Sequence, residues 1–264
     1  MLYVVVPTYN EKDNLPVLAE KIFALKIPDL RLMVVDDNSP DGTGRIADEL
    51  RNKYASAGSA SSPQAGSAQV PITVIHRSEK SGLGTAYVTA FKYILSQDPH
   101  ISGSPISHYV IQMDADLSHD PAVIPAMLEK IKTYDLVLGS RYIPGGKIEN
   151  WDPFRRFISR FGNICARIVL GLPYHDLTGG FKCFRHELLQ KINLNKLSSV
   201  GYNFQLETTY QAHKLGARIV EIPITFTERK IGASKFNIGI IIESALKGIL
   251  MRLKELASGL FGKR

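Results

Sequence analysis

The first half of the chain alternates short β-branched runs with helical stretches, and this alternation restricts the fold more than any other feature. The runs predict strands over residues 3–6, 32–35, 72–75, 109–113 and 136–138. Between them, apolar residues recur at helical spacing and predict helices over 15–25, 44–54, 85–95 and 122–131. Strands that alternate with helices favour an α/β fold with a mostly parallel sheet covered on both faces. Ligands of such sheets bind at the carboxyl ends of the strands.

Composition excludes several classes of protein. The 264 residues are 44% hydrophobic and carry a formal charge of +7, which is typical of a globular chain and not of a disordered or fibrous one. Cys165 and Cys183 are too few for a disulfide-stapled scaffold, so we expect reduced, buried thiols in a reducing compartment. The start of the chain lacks the basic region of a signal peptide, and charged residues interrupt the apolar run over 238–250. Neither a signal peptide nor a membrane-spanning helix is therefore predicted.

The positive charge is concentrated in two segments. Residues 229–264 carry a net charge of +6 and residues 151–172 a net charge of +3, so the rest of the chain is mildly acidic. Each segment contains a basic amphipathic helical pattern. Such helices pack on their own core or lie in a membrane interface. Elsewhere, residues 56–71 carry no charge, are rich in Ala, Ser and Gly, and are predicted to form a flexible insertion.

Carboxylates follow two of the predicted strands. Asp114 and Asp116 come directly after the fourth strand, and their side chains converge because residues two apart in an extended segment point the same way. Converging carboxylates repel unless a cation lies between them, and hard oxygen ligands favour Mg²⁺ or Mn²⁺. Asp37 follows the second strand as a candidate ligand contact, whereas Asp41 is expected to serve the turn. The first strand is not followed by G-x-G-x-x-G, which argues against a dinucleotide cofactor.

Two basic clusters are candidates for binding phosphate. Arg141 follows the fifth strand, and Arg229 and Lys235 flank a glycine-containing loop before the last predicted helix. Guanidinium and ammonium groups bind phosphate oxygens and stabilise negative charge that develops on a leaving nucleotide.

These motifs together resemble a known family. The matching blocks occur in order over nearly the whole chain and are VPTYNEKDNLP, VVDDNSPDGTG, SGLGTAY, MDADLSHDP, GSRYIPGG, DLTGGFKCFRHELL, GYNFQLE and RKIGASK. The chain resembles the glycosyltransferase family 2 enzymes, in particular the dolichol- and polyprenol-phosphate mannose synthases. The resemblance implies the GT-A fold, a Rossmann-like, mostly parallel sheet flanked by helices. We therefore expect residues 1–236 to form the catalytic domain, with the amphipathic helix over 151–172 at its interface, and residues 237–264 to form a C-terminal amphipathic helix and basic tail.

The resemblance also implies a reaction, the inverting transfer of mannose from GDP-mannose to the phosphate of dolichol or polyprenol with Mg²⁺ or Mn²⁺. It assigns nucleotide-sugar binding to Pro7, Tyr9, Glu11, Asp37, Asp114, Ala115, Asp116, Arg141, Arg229 and Lys235. It assigns metal binding to Asp114, Asp116 and Ser118, the last at a position where some relatives have Gln. It assigns acceptor-phosphate binding to Arg155 or Arg156 and to Ser234. The residues expected to carry the chemistry are Asp116, Arg141, Arg229 and Lys235.

A lipid phosphate acceptor has two consequences. The phosphate is already ionised at neutral pH, so no general base is needed, and Glu207 is expected to be structural or to position the acceptor. The enzyme must also reach a membrane, so we expect a peripheral protein on the cytoplasmic face. Its own basic helices or a membrane-embedded partner subunit would bring it there.

Three alternatives stay open at this point. The same fold could serve a polyprenyl-phosphate glucosyltransferase that uses UDP-glucose, because motif spacing does not separate guanine from uracil recognition. A silent sugar-nucleotide-binding subunit is disfavoured by the intact Asp114 and Asp116 pair. Nucleic-acid binding through the basic tail is not expected, because the tail has no interleaved aromatic residues or recognised motif.

Overall fold

The computed structural model describes residues 1–59, 70–97, 108–197 and 203–228. The strands are β1 (Leu2–Thr8), β2 (Leu30–Asp36), β3 (Ile72–His76), β4 (Tyr109–Gln112), β5 (Leu136–Ser140), β6 (Lys147–Glu149), β7 (Lys182–Arg185), β8 (Ile219–Pro223) and β9 (Thr225–Thr227). The helices are α1 (Asn14–Ala24), α2 (Thr43–Ser59), α3 (Leu83–Gln97), α4 (Ile124–Ile131), α5 (Pro153–Leu170), α6 (His186–Lys191) and α7 (Asn203–Lys214). The strands and helices predicted for the first half of the chain are therefore confirmed.

The main sheet of the described residues has the strand order β3-β2-β1-β4-β7-β5-β8. β1 pairs in parallel with β2 and β4, β2 with β3, and β5 with β8. β7 is antiparallel to both β4 and β5, between which it lies. The predicted mostly parallel α/β sheet is confirmed. A separate parallel pair is formed by β6, which comes just before α5 in sequence, and β9.

Strand β1 shows why both faces of the sheet are covered. Leu2, Val4 and Val6 belong to a buried cluster that includes residues of α1, α2 and α4. Tyr3 and Val5 belong to a second buried cluster that includes residues of α3, α6 and α7. Alternate residues of a strand point to opposite faces, so one apolar strand contributes to two cores. The two cores leave the strand ends free to carry the polar residues of the site.

Helix α5 confirms the helix predicted over 151–172 and has clear boundaries. The Asp152 side chain accepts a hydrogen bond from the Arg155 N–H (2.8 Å), and Gly171 ends the helix at φ 65°. The large apolar residues of α5 recur at helical spacing and form an apolar stripe. Most of this stripe faces outward, since Phe157 is 66% and Ile168 76% exposed. No helix within the described ranges is long and apolar enough to cross a membrane. The predicted helix within 237–264 lies outside the described residues.

Two smaller predictions have mixed outcomes. The predicted insertion over 56–71 begins too early, because α2 continues through Ser59. The Ala and Ser residues at the end of this helix are compatible with helical structure. Ser56 Oγ donates a hydrogen bond to the Asn52 carbonyl one turn earlier (2.9 Å). Residues 60–69 lie outside the described residues, so flexibility there stays a prediction. Both cysteines are free thiols, with Cys183 buried as predicted and Cys165 only partly buried.

Candidate active site

The predicted site residues gather at one edge of the sheet, where β1, β2, β4 and β5 end. Tyr9 follows β1, Asp37 follows β2, Asp114 follows β4 and Arg141 follows β5. Neighbouring ends are tied together, since the Asp37 N–H donates to the Thr8 carbonyl (3.0 Å). The loop before β7 reaches the same edge, because β7 runs in the opposite direction. The fold therefore brings residues from distant parts of the sequence to one place.

Asp114 and Asp116 form the centre of this edge. Asp116 is buried, and its Oδ1 accepts the Ser118 N–H (3.1 Å), which closes a tight turn. The Tyr87 hydroxyl donates to the Met113 carbonyl (3.0 Å) and lies 3.5 Å from Asp114 Oδ1. Burial raises the pKa of Tyr87, and the negative charges of Asp114 and Asp116 raise it further. Both carboxylates are therefore close enough to the Tyr87 hydroxyl to affect its pKa, while their convergence on one ion stays a prediction.

The loop around Asp114 is supported by His119. His119 Nδ1 accepts a hydrogen bond from the Asp114 backbone N–H (3.2 Å). Burial lowers the pKa of His119 to about 4, so the ring is neutral at pH 7. On the other side, a Cβ added to Gly180 would lie 3.2 Å from Asp114 Oδ2 and 3.3 Å from His119 Cε1. A glycine at this position thus lets the loop before β7 approach the carboxylate.

The donor set at this edge fits a hard divalent ion. Within the described ranges no three His, Cys, Asp or Glu side chains come together as a metal-binding group. Two carboxylates are nevertheless the usual protein contribution to Mg²⁺ sites that complete their coordination with water and substrate phosphate. Ser118 Oγ is buried and has no hydrogen-bond partner among the described residues, which leaves a third oxygen for an ion or its water. Asp114, Asp116 and Ser118 are thus compatible with Mg²⁺ or Mn²⁺.

The ends of β1, β2 and β3 form a second part of the edge. Asp37 is held by Arg77, with 2.6 Å between Arg77 Nη1 and Asp37 Oδ1, and by the Gly82 N–H (2.9 Å). The Lys80 ammonium lies 3.6 Å from the centroid of the Tyr9 ring. The partly buried aromatic ring, the fixed carboxylate and the nearby cation can together contact a base, a ribose and a phosphate.

The turn after β2 is structural, as predicted for Asp41. The Thr43 N–H and Oγ1 donate to Asp41 Oδ1 (2.9 and 2.6 Å), and the Lys12 N–H donates to Asp41 Oδ2 (3.2 Å). Burial by itself would raise the pKa of Asp41, but these hydrogen bonds lower it below its ordinary value. Nearby, Glu11 accepts a hydrogen bond from Asn14 Nδ2 (2.7 Å) at the start of α1.

Arg141 is fixed by a partner that the sequence analysis did not identify. Its Nε lies 2.7 Å from Asp176 Oδ2, and its Nη2 lies 2.8 Å from Asp176 Oδ1 and 2.9 Å from Thr178 Oγ1. The guanidinium also lies 5.7 Å from the Trp151 ring centroid and 5.3 Å from that of Phe226. Burial would raise the pKa of Asp176, but the charge of Arg141 and its hydrogen bonds lower it. A direct contact between Arg141 and phosphate stays a prediction.

The two candidate acceptor arginines have different surroundings. Arg155 forms an ion pair with Glu228 and lies 4.1 Å from the Trp151 ring centroid. Arg156 is exposed on the outer side of α5. Arg229, Ser234 and Lys235 lie outside the described residues, so their predicted roles stay predictions.

The remaining predicted contacts are on β1 and β4. Pro7 is partly buried near the end of β1. The Ala115 side chain is packed in the core, so that a ligand would meet its backbone and not its methyl group.

Comparison with known proteins identifies the family. Residues 3–193, which include Tyr9, Asp37, Asp114 and Arg141, match the family described as Glycosyl transferase family 2. The chain belongs to glycosyl transferase family 2. It is 40% identical over 242 residues to the "Undecaprenyl-phosphate mannosyltransferase" of Micrococcus luteus, covering 92% of this chain and 90% of the relative. It is 39% identical over 246 residues to the "Polyprenol monophosphomannose synthase" of Mycolicibacterium smegmatis, covering 92% of this chain and 84% of the relative.

Solved structures resemble this family 2 chain in fold. One is a glucosyl-3-phosphoglycerate synthase from Mycobacterium tuberculosis in complex with Mn²⁺, UDP-glucose and phosphoglyceric acid, with a TM-score of 0.65 and 16% identity. The match covers 96% of this chain and 79% of that chain. The likeness concerns the fold, and it confirms the GT-A architecture expected from the family resemblance.

Four residues at the edge of this family 2 site were not assigned a role from the sequence. His119 and Asp176 lie within the quoted blocks MDADLSHDP and DLTGGFKCFRHELL, but neither block shows what they contact. Arg77 and Lys80 follow β3. Because ligands bind at the carboxyl ends of parallel strands, their position after β3 was a signal by which they could have been predicted. Only the folded structure shows that Arg77 and Asp176 pair with residues that had been predicted.

Proposed function

We propose that this enzyme transfers mannose from GDP-mannose to the phosphate of a polyprenol or dolichol, with inversion and with Mg²⁺ or Mn²⁺ as cofactor. The observation that carries the proposal is the Asp114 and Asp116 pair at the carboxyl edge of a sheet whose chain is 40% identical to an undecaprenyl-phosphate mannosyltransferase. Two carboxylates at the carboxyl edge of such a sheet are suited to a nucleoside diphosphate sugar.

The donor nucleoside is assigned to the ends of β1 and β2. Pro7, Tyr9, Glu11 and Asp37 would contact the base and ribose. Asp37 is already held by Arg77 and the Gly82 N–H, so its carboxylate does not have to reorient when the nucleoside binds.

The diphosphate is assigned to the end of β4. A divalent ion held by Asp114 and Asp116, with Ser118 nearby, would supply positive charge that stabilises the departing GDP. The chain's part is to hold the two carboxylates still: the Ser118 N–H fixes Asp116, and the loops containing His119 and Gly180 pack against Asp114. Arg141, Arg229 and Lys235 are the proposed cationic groups for phosphate oxygens.

The acceptor needs no proton removed, since a lipid phosphate is ionised at neutral pH. The phosphate would attack the anomeric carbon on the face opposite the leaving GDP, which inverts the configuration. Glu207 is buried on α7 and is assigned a structural or acceptor-positioning role. Alignment of the reacting atoms and neutralisation of the leaving group then account for the acceleration.

Helix α5 is the proposed contact with the membrane. Its outward face combines exposed aromatic and aliphatic side chains with Arg156 and Arg160, the combination found in helices that lie in an anionic membrane interface. Contact between this face and the membrane would bring the enzyme to its lipid acceptor, because the reactive phosphate lies at a membrane surface. We assign the enzyme to the cytoplasmic face as a peripheral protein, either by its own helices or with a membrane-embedded partner subunit.

A donor panel tests the proposed reaction. The purified chain is incubated with short-chain polyprenyl phosphate, Mn²⁺ or Mg²⁺, and either GDP-mannose or UDP-glucose, and the glycosylated lipid is quantified. Metal-dependent transfer from GDP-mannose alone is the expected result. Transfer only from UDP-glucose would keep the fold and the mechanism but contradict the mannose assignment.

A further inference from the structure

The strongest feature that the proposed reaction does not yet use is the imidazole of His119. It is 2% exposed and lies three residues after Asp116. A buried polar ring needs hydrogen-bond partners, and each partner restricts how the ring can turn. The partner of His119 Nδ1 is the backbone N–H of Asp114, at 3.2 Å.

The direction of this hydrogen bond is determined by its chemistry. A backbone N–H can only donate, so His119 Nδ1 must be the nitrogen without a proton. The neutral ring therefore satisfies the amide at the point where β4 ends and the carboxylate loop begins. Because that amide belongs to Asp114 itself, the ring helps to determine where the Asp114 side chain leaves the backbone.

The ring contacts two aromatic side chains, and its backbone is anchored as well. It stacks on Phe181, with 5.0 Å between ring centroids, and forms a T-shaped pair with Phe226, with 5.5 Å between centroids. The residue before it is also anchored, since the Thr227 N–H donates to the Ser118 carbonyl (3.2 Å). The imidazole thus links the carboxylate loop to the loop before β7 and to β9.

We propose that His119 is a positioning residue whose Nδ1, by holding the Asp114 N–H, keeps the Asp114 carboxylate in the orientation in which it binds, together with that of Asp116, the metal and diphosphate. The inference rests on the proposed function in that it takes these carboxylates as the metal ligands. Groups that orient metal ligands through such hydrogen bonds typically contribute about 10-fold to 100-fold in metal affinity or activity.

Two substitutions distinguish the contribution of the hydrogen-bond acceptor of His119 from that of the packing of its ring. His119→Asn keeps an acceptor, because its side-chain oxygen is as many bonds from Cβ as Nδ1 is, but it removes the ring that packs between Phe181 and Phe226. His119→Phe keeps a ring for those contacts and removes the acceptor. A residue important only for packing would make His119→Asn the more damaging change in every assay.

Mn²⁺ binding is measured by the loss of the free-ion electron paramagnetic resonance signal, with GDP and with UDP in parallel, and the midpoint of thermal unfolding is measured for each protein. We expect His119→Phe to weaken Mn²⁺ binding by about 10-fold to 100-fold with the smaller change in midpoint. We expect His119→Asn to lower the midpoint more and to bind Mn²⁺ within a few-fold of the unsubstituted protein. Equal Mn²⁺ affinity in His119→Phe, or affinity that follows the unfolding midpoint in both variants, would overturn the proposal.

This assay distinguishes the inference from the proposed function. Suppose that His119→Phe, which lacks the hydrogen-bond acceptor, binds Mn²⁺ more weakly, but that the unsubstituted protein does not transfer mannose. This result would support the role of His119 and contradict the proposed reaction. Mannose transfer with unaltered Mn²⁺ affinity in His119→Phe would support the reaction and contradict the role of His119.

Discussion

Arg141 and Asp176 form a two-point ion pair at the edge of the active site, with 2.7 Å between Nε and Oδ2 and 2.8 Å between Nη2 and Oδ1. The Arg141 backbone N–H also donates to Asp176 Oδ2 (3.0 Å). Both side chains are almost completely buried. One carboxylate therefore holds the end of β5 and the guanidinium that follows it, so the position of Arg141 depends on Asp176.

We expect Asp176→Ala to lower the free energy of unfolding by about 3–5 kcal/mol, because it leaves the Arg141 charge buried without its partner. Urea denaturation at pH 7 measures the change. Asp135→Ala is the matched control, since Asp135 pairs with the exposed Arg218, and pairs of that kind contribute about 1 kcal/mol or less. Equal losses in the two variants would contradict the structural role of Asp176.

The same ion pair has an expected pH dependence. The pKa of Asp176 is lower in the folded protein than in the unfolded chain, where it is about 4. The stabilisation is therefore complete above about pH 4 and is lost as the pH falls through the folded-state value. The difference in unfolding free energy between the unsubstituted protein and Asp176→Ala should shrink below that pH.

Because of Lys182, we expect the free energy of unfolding to depend on pH in the alkaline range. Its ammonium is buried in β7 and donates to the Gln205 carbonyl, Thr208 Oγ1 and Thr209 Oγ1, and burial lowers its pKa to about 7. Between about pH 7 and pH 10 the unfolded chain then binds more protons than the folded protein, so this group makes folding more favourable as the pH rises. The unfolding free energy of the unsubstituted protein should rise relative to that of Lys182→Met over this interval. A constant difference would mean that Lys182 does not titrate there.

Glu207→Gln tests the absence of a general base. The substitution keeps the size of this buried side chain and removes its charge. We expect most of the turnover number to be retained, because the acceptor phosphate carries its own charge. The check is the pH profile of kcat with polyprenyl phosphate, and a loss of about 100-fold, typical for removal of a general base, would contradict the proposed mechanism.

The outward face of α5 should bind membranes. Phe157→Ser is expected to lower the affinity for anionic vesicles, measured by co-sedimentation, by about tenfold or more. The reason is that burying a Phe side chain contributes about 1.5–3 kcal/mol. The unfolding free energy should change little, because Phe157 is exposed. Leu215→Ser is the control, an exposed apolar residue just after α7. Equal vesicle binding by all three proteins would show that this face of α5 is not the contact.

The strands and helices of the first half could be predicted because each carries its own local signal. β1 is a continuous apolar run, and α1 repeats apolar residues at helical spacing, so neither depends on distant contacts for recognition. β7 was not predicted, because its four residues include Lys182 and Arg185 and do not form an apolar run. Lys182 is nevertheless buried, since acceptors from α7 satisfy its ammonium.

The active site was predictable to the extent that strand ends indicate ligand positions. Asp37 was placed by this rule, and Asp114 by this rule together with its two-residue spacing from Asp116. Their partners Arg77 and His119 were not, because a side-chain pairing depends on rotamers and on the loops between strands. The outward orientation of the α5 apolar stripe also could not be read from periodicity, since the same pattern fits a helix packed on its own core.

In the proposed reaction, metal-dependent transfer of mannose to polyprenyl phosphate needs the carboxylates of Asp114 and Asp116. The most direct measurement compares kcat/KM for GDP-mannose in the unsubstituted protein, Asp116→Asn and Asp120→Asn. Asp120 lies in the same loop but is exposed and caps the short turn at Pro121–Val123 through the Ala122 N–H, a role that Asn can keep. We predict a loss of at least about 100-fold in Asp116→Asn, because a bound divalent ion contributes several kcal/mol of transition-state stabilisation, and little change in Asp120→Asn. Full activity in Asp116→Asn would contradict the account.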